Sequence, residues 1–545
     1  MYSRRSFLHF LGRSALVGGT ALSSISMLSS CKTNKVVTSS NLATNTAPTN
    51  FTLSPLSPSS ADDLVLADGL SYDTLISWND FISDANVFGF NNDYIAFVPL
   101  NDNDPTDGLL WVNHEYMDPK FVSGFDGTTE KTKQQVKQEQ YAVGGSIVRI
   151  KLVEGKWQVQ KNDPYNKRIT GMTRIPIAWD AGINSKKTAI GTLANCSGGI
   201  TPWGTILTCE ENYDLFYGET TYEVGAKSGT HIESYYGWEK HFPYPPEHYG
   251  WVVEVNPKTG DAKKLVALGR CAHECATVFE TSDKKLVVYT GDDANDQCLY
   301  KFISDEAGSL EKGTLYVANT TEGKWISLNI DEQPKLAENF KDQTDVLIRL
   351  REAAALVGGT PLDRPEDIEI DPLTGNVLIS LTNNKPKGNH YGSILKIVED
   401  SADKTGLSFE SDTFLAGGEE TGFACPDNMA FDPKGNLWFT SDISGSSINK
   451  APYTAFQNNG LFLVPSSGER AGEVIQIASA PTYAELTGPF FSADGKTLFL
   501  SVQHPGELST SMSELTSHWP EGGAAIPKPS VVVIQGPLLD TISAV

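Results

Sequence analysis

Six stretches of this chain repeat one pattern: polar or acidic residues, a short apolar run, a turn, a second apolar run, then polar or acidic residues again. In an antiparallel pair the start of one strand lies beside the end of the next, so each stretch predicts a hairpin with ionisable groups at one end. The clearest runs from His273 and Glu274 along Ala276 to Phe279, turns through Thr281 to Lys285, and returns along Leu286 to Thr290 into Asp292 and Asp293. The same reading sets Arg364, Glu366 and Asp367 beside Asn383 and Asn384, Asp427 and Asn428 beside Ser441 and Asp442, and Glu485 beside Gln503 and His504. It also sets Cys196 beside Glu210 and Glu211, and residues Asn91 to Asp93 beside Asn113, His114 and Glu115. Carboxylates gathered this closely repel one another unless positive charge sits among them, and metal ions are the economical source.

Predicted strands dominate the chain, among them Leu109 to Val112, Thr205 to Thr208, Trp251 to Val255, Leu286 to Tyr289, Val377 to Leu381, Leu437 to Thr440 and Leu498 to Val502. Turn chemistry separates them, and the turns Asp371-Pro372-Leu373-Thr374-Gly375, Asp432-Pro433-Lys434-Gly435 and Ser492-Ala493-Asp494-Gly495 recur about every 60 residues. One multi-stranded sheet per repeat, arranged radially, is a β-propeller. The expected fold is therefore all-β, a propeller of six blades with loop and helical insertions. The insertion Tyr213 to Tyr249 lengthens one blade, and Asp342 to Leu356 is the best helix candidate. A β-sandwich is the runner-up, but it would not bring six hairpin ends to one place. In a propeller the innermost strands converge on the axis, and the clusters become one site.

The N-terminus reads Ser3-Arg4-Arg5-Ser6-Phe7-Leu8, then a weakly apolar stretch ending Leu28-Ser29-Ser30-Cys31. Paired arginines before such a stretch resemble a twin-arginine export signal, and Leu-Ser-Ser-Cys resembles a lipoprotein processing box. Residues 1–31 are thus expected to be a leader lipidated at Cys31, residues 32–60 a flexible tether rich in Ser, Thr, Asn and Pro, and residues 61–545 one catalytic propeller. Six further cysteines in so long a chain do not make a disulfide framework, and none has zinc-finger spacing with histidine. The 43 Lys and Arg stand against 67 Asp and Glu, a formal charge of −24, which disfavours nucleic acid as a partner. A small anionic substrate stays compatible, because bound cations reverse the local field.

Glu115, Glu211, Glu274, Asp292, Asp293, Glu366, Asp367, Asp427 and Glu485 supply hard oxygen donors suited to calcium or ferric iron, and Asn428 a neutral one. Cys196, before Gly198 and Gly199, is either a small buried hydrophobe or a thiolate that favours a transition metal. Arg364 either pairs with a neighbouring carboxylate or grips a phosphate with its planar fork. His504 is a proton donor or a brace, and His273 is read as structural. There is no Gly-rich phosphate loop, no His-Glu-x-x-His helix and no Gly-x-Ser-x-Gly elbow.

Seven segments carry a resemblance: Trp111-Val112-Asn113-His114-Glu115, Asn195-Cys196-Ser197-Gly198-Gly199 continuing through Pro202-Trp203-Gly204 to Cys209-Glu210-Glu211-Asn212, Ala272-His273-Glu274, Tyr289-Thr290-Gly291-Asp292-Asp293, Arg364-Pro365-Glu366-Asp367, Pro426-Asp427-Asn428 and Gln503-His504-Pro505-Gly506. In order, they resemble the PhoX-type alkaline phosphatases, exported β-propeller phosphoesterases. The resemblance implies a cofactor of two ferric irons with a bridging oxygen and about three calcium ions. It makes Cys196, Glu274 and Asp293 principal ligands, joined by Glu115, Glu211, Asp292 and Glu366, and makes Arg364 the phosphate-binding arginine. Cys271 and Cys275 around His273-Glu274 depart from the family pattern. The reading is a lipid-anchored, monomeric phosphomonoesterase, with Arg364, Glu366 and His504 in catalytic roles. Its rivals are a calcium-dependent propeller lactonase or esterase, and a calcium-stabilised propeller used only for binding.

Overall fold

The computed structural model describes residues 53–101, 103–222, 226 and 228–543, so the expected leader and most of the expected tether lie outside the described residues. Six largely antiparallel sheets of four to six strands are arranged around one axis, a six-bladed β-propeller rather than a sandwich. The innermost strands are Asn92–Pro99, Asn195–Ile200, Thr277–Glu280, Pro365–Ile370, Pro426–Phe431 and Glu485–Phe491, and each packs on the next until the last meets the first. They pack so closely that a Cβ on Gly199 would lie 2.0 Å from the carbonyl oxygen of Ala276, which is why position 199 is glycine.

Each strand expected from the sequence is present within a residue or two, because each hairpin is local: Leu286–Gly291, for example, pairs with Thr277–Glu280 across the turn at Thr281 to Lys285. The non-local pairings were not foreseen. Val65–Leu66 adds to the outer edge of the fifth blade, and Ser71–Ser77 pairs with the C-terminal strand Ser530–Gln535 to complete the sixth. In the second blade Arg174–Ala178 lies parallel to Ala262–Leu265. The N-terminal approach also differs from a free tether at its end, since Leu56 donates its N–H to Gln476 and the Ser59 carbonyl accepts from Asn458. The single helix expected over Asp342 to Leu356 is two helices, Gln343–Ile348 and Leu350–Val357, broken at Arg349. Asp342 caps the first by accepting from the Asp345 N–H.

Apolar residues fill the interfaces between blades, with Trp111, Trp251 and Trp438 among the largest side chains fully buried. The connections that leave each second strand all emerge at the end of the ring where the innermost strands begin. That end carries helices Pro119–Val122, Lys133–Ala142 and Asp214–Tyr217, and the extended segments after Ser441 and Gln503. Among the described residues no helix is long and apolar enough to cross a membrane.

Candidate metal centre

A repeated backbone device aims side chains into this mouth. The residue just before an innermost strand is left-handed in four blades: Asn91, Ala194, Arg364 and Cys425, with φ of 39°, 53°, 56° and 53°. Such conformations cost about 1–3 kcal/mol each and persist where surrounding structure enforces them. Directly after it the ladder slips, between Asn92 and Ile95, Asn195 and Gly198, Pro365 and Ile368, and Pro426 and Met429. These bulges turn Asp93, Cys196, Glu366 and Asp427 towards the axis. In the third blade the ladder is interrupted between the bridge His273 to Asp292 and the pair Thr277 to Tyr289, and Glu274 falls in the gap.

Three trios of donors result: Asp93, Glu115 and Cys196; Cys196, Glu211 and Glu274; Glu274, Glu366 and Asp427. Within each trio the donor atoms lie within 4.8 Å of one another. Cys196 and Glu274 are each shared by two trios, so the three form one chain across the mouth. The Cys196 Sγ lies 3.3 Å from Glu274 Oε1 and 3.6 Å from Asp93 Oδ2. Gln503 donates to both Asp93 Oδ2 at 2.7 Å and Glu115 Oε2 at 2.9 Å. Asn428 Nδ2 lies 3.1 Å from Asp427 Oδ1 and 3.4 Å from Glu274 Oε1.

Burial first, and neighbouring carboxylates second, hold Glu211, Glu274 and Asp93 well above the usual carboxylate range. Burial likewise raises Glu366, Asp427 and Glu485, pushes Glu115 up to about 7, and lifts the Cys196 thiol. On their own these groups would retain protons, and cations among them would reverse the shift. Asp93 Oδ1 and Glu274 Oε2 are buried without a hydrogen-bond partner among the described residues. Unpartnered buried oxygens in chained trios, two of which share a thiol among their carboxylates, fit several bound metal ions.

Arg364 is the cation that enters this cluster. Its Nε and Nη2 grip Asp293 at 2.9 and 2.7 Å, Nη2 also reaches Glu366 Oε1 at 2.7 Å, and Nη1 stands 3.5 Å from Asp442. Asp293 is therefore an arginine partner at the edge of the trios. Glu485 accepts from His504 Nε2 at 3.1 Å, while His504 Nδ1 lies 3.8 Å from Glu507. His273 is a buried structural residue, its ring nitrogens bonded to Thr290 Oγ1 and the Gly269 carbonyl.

Two further expected ligands stand outside the trios, each tied to other partners. Both oxygens of Asp292 are taken by Arg351, at 2.8 and 2.5 Å, and one also accepts from the Ala272 N–H. Asp367 accepts the N–H groups of Ile368 and Met429 at 2.9 and 2.8 Å, which ties the fourth blade to the fifth. Neither lies in the trios, because adjacent residues of an extended chain point to opposite sides and the bulge favours Glu366. The ligand reading of the sequence passed over Asp93 and Gln503; their signal was the shared hairpin position, which the polar run Asn91-Asn92-Asp93 obscured. Cys271 and Cys275 are buried free thiols.

A family model described as alkaline phosphatase PhoX matches residues 51–506. The solved structure of Pseudomonas fluorescens PhoX in complex with vanadate, a transition state analogue, superposes with a TM-score of 0.80 at 28% identity, covering 90% of this chain and 99% of that one. A protein of unknown function from Dyadobacter fermentans gives a TM-score of 0.38 at 11% identity, over 86% and 100% of the two chains. A gluconolactonase from Xanthomonas campestris gives 0.32 at 10%, over 90% and 99%. No curated protein matches by sequence.

Proposed function

Because this chain belongs to the PhoX alkaline phosphatase family and is a phosphoric monoester hydrolase, we propose that its chained trios hold the mixed iron and calcium cofactor of that family. The carrying observation is Cys196 shared between two carboxylate trios, since a thiolate among hard oxygens calls for a transition metal beside harder cations. Asp93, Glu115, Cys196, Glu211, Glu274, Glu366 and Asp427 would hold the ions, with Asn428 beside Glu274. Bound there, ferric and calcium ions would polarise the phosphoryl oxygens and offset the charge that develops on them.

The protein's own residues do the rest. Arg364 is held rigidly by Asp293 and Glu366, which leaves Nη1, with only a long contact to Asp442, to donate to a phosphoryl oxygen. Glu366 thereby orients the arginine, and its Oε1 is fixed in turn by the Thr382 hydroxyl at 2.8 Å. His504, between Glu485 and Glu507, carries the proton that the leaving alcohol needs. The complex of the Pseudomonas fluorescens protein with vanadate, a transition state analogue, supports phosphoryl transfer as the reaction here. The paired arginines and Cys31 support export by the twin-arginine route and lipid anchoring, with a monomeric enzyme facing small phosphate esters.

Elemental analysis of the exported protein, with aryl phosphate hydrolysis, tests this reading in wild type and Cys196→Ser. The wild type should carry iron and calcium, and Cys196→Ser should lose most of its iron and at least about tenfold of its activity. Full activity with unchanged metal content in Cys196→Ser would refute the thiolate assignment.

A further inference from the structure

We propose that Glu507 is the positioning residue of His504, a rim carboxylate that holds the imidazole by Nδ1 so that Nε2 presents its proton to the leaving alcohol. The proposal rests on the reading of His504 as the proton donor. Its local origin is the run His504-Pro505-Gly506-Glu507, with proline and glycine at the two central positions of a turn. Gly506 is left-handed, with φ of 78°, and the Glu507 N–H donates to the His504 carbonyl at 3.0 Å. Proline followed by a left-handed glycine makes this a type II turn, which folds Glu507 back onto its own histidine. Glu507 Oε2 then lies 3.8 Å from His504 Nδ1. Its Oε1 accepts from the Tyr116 hydroxyl at 3.3 Å, and the Tyr116 ring is tilted against the imidazole with centroids 6.1 Å apart. His504 is itself left-handed at φ 39°, a conformation rare for histidine that the surrounding structure must enforce.

The two ring nitrogens face different surroundings. Nε2 bonds Glu485 Oε2 at 3.1 Å, and Glu485 opens the innermost strand of the sixth blade, at the mouth. Gln503, the residue before His504, reaches Asp93 and Glu115 of the first trio, so the histidine is anchored next to the metal ligands. Nδ1 is buried without a hydrogen-bond partner among the described residues, and the acidic oxygen beside it is that of Glu507. A charge-assisted N–H···O bond is about 1 Å shorter than this contact, and catalytic contacts of this kind tighten when substrate fills the site. The bond made at one ring nitrogen fixes the plane of the ring and the role of the other. Held at Nδ1, the protonated ring directs its Nε2 proton into the mouth. When the ester P–O bond breaks, its electron pair stays on the alcohol oxygen and the Nε2 proton joins it. Water supplies the oxygen that phosphorus gains and the proton that the ring regains.

A loop brace is the plainer role for Glu507, but the loop is fastened without it. Gln503 makes its two bonds to the trio, and the Gly506 carbonyl accepts from the Ser509 N–H at 2.9 Å and from its hydroxyl at 2.5 Å. The Glu507 side chain is 28% exposed, enough for water to satisfy a carboxylate, yet it is drawn in between Tyr116 and the imidazole.

The test measures kcat and KM for nitrophenyl phosphate, whose leaving group departs as a stable anion, and for glycerol phosphate, whose alkoxide needs a proton. Metal-loaded wild type is compared with Glu507→Gln, which keeps the shape and removes the charge, and with Tyr116→Phe and His504→Gln. The kcat ratio of alkyl to aryl ester should fall about tenfold in Glu507→Gln, less in Tyr116→Phe and about a hundredfold in His504→Gln, with KM little changed. An unchanged ratio in Glu507→Gln beside a lowered one in His504→Gln overturns the proposal and leaves Glu507 as a loop brace. An unchanged ratio in His504→Gln instead brings down the proton-donor reading, and the proposal with it. Should Glu507→Gln fail to fold, Tyr116→Phe, which removes one hydroxyl, carries the comparison, and an unchanged ratio there overturns the proposal equally.

Discussion

Buried acids are handled in two ways in this molecule. Inside the blades they are satisfied by protein groups, two of them by a cation: Lys264 sits 2.6 Å from Glu210, and Lys301 sits 3.0 Å from Glu399, all four side chains almost wholly buried. Around the mouth Asp93, Glu115, Glu211, Glu274, Glu366 and Asp427 stand with Cys196, and among the described residues Arg364 is the one cation paired with any of them. Identical chemistry is closed by side chains in one region and left open in the other. The blades are therefore built to be complete without cofactor, whereas the mouth is built around charge that arrives from outside.

The strongest break of that contrast is Glu274→Gln. Glu274 belongs to two trios, so neutralising it should lower both metal content and aryl phosphate turnover, the latter by more than about a hundredfold. Far-UV circular dichroism should stay that of the wild type, since no blade depends on this carboxylate. Wild-type metal content and turnover would mean that the trios are ordinary buried acids, and the contrast would collapse.

The sequence carried the blades because each is a chain of neighbouring hairpins with turn residues at a regular interval. It did not carry ring closure: Ser71–Ser77 meets Ser530–Gln535 from the far end of the chain, and no local pattern announces such a pair. The site divides the same way. That acids gather at the hairpin ends was legible, because strand pairing alone places them there. Which acid of a pair turns inward was not, because this depends on bulges such as that between Pro365 and Ile368, and on a partner as distant in sequence as Arg351 is from Asp292. Asp292 and Asp367 stand outside the trios for that reason, and Asp93 stands inside one.

A smaller effect probes the other region. Lys301→Met leaves the Glu399 carboxylate buried with only the Tyr289 hydroxyl and the Trp325 N–H as donors, at 2.6 and 3.1 Å. The expected loss is about 3–5 kcal/mol of stability, read by denaturant unfolding, with metal content unchanged. Adding Glu399→Leu should restore much of it, because an apolar pair removes the uncompensated charge. Loss of metal in Lys301→Met would show that blade and mouth are not separable.

The smallest expected effect uses pH at His248, in the turn that leads into the second blade. Burial first, then repulsion from Lys264, lowers His248 to about 4. The unfolded chain, with histidine near 6.5, therefore binds a proton that the folded chain refuses between pH 6.5 and 4, and stability falls as pH drops through that window. His248→Gln removes this increment, which is at most about 1.4 kcal/mol per pH unit. The melting temperature of the metal-loaded variant should fall less between pH 7 and pH 5 than that of the wild type. The mouth acids are common to both proteins, so the difference between the two pH responses isolates His248. Equal responses would place the whole acid sensitivity at the mouth, where protons compete with metal ions for the same carboxylates.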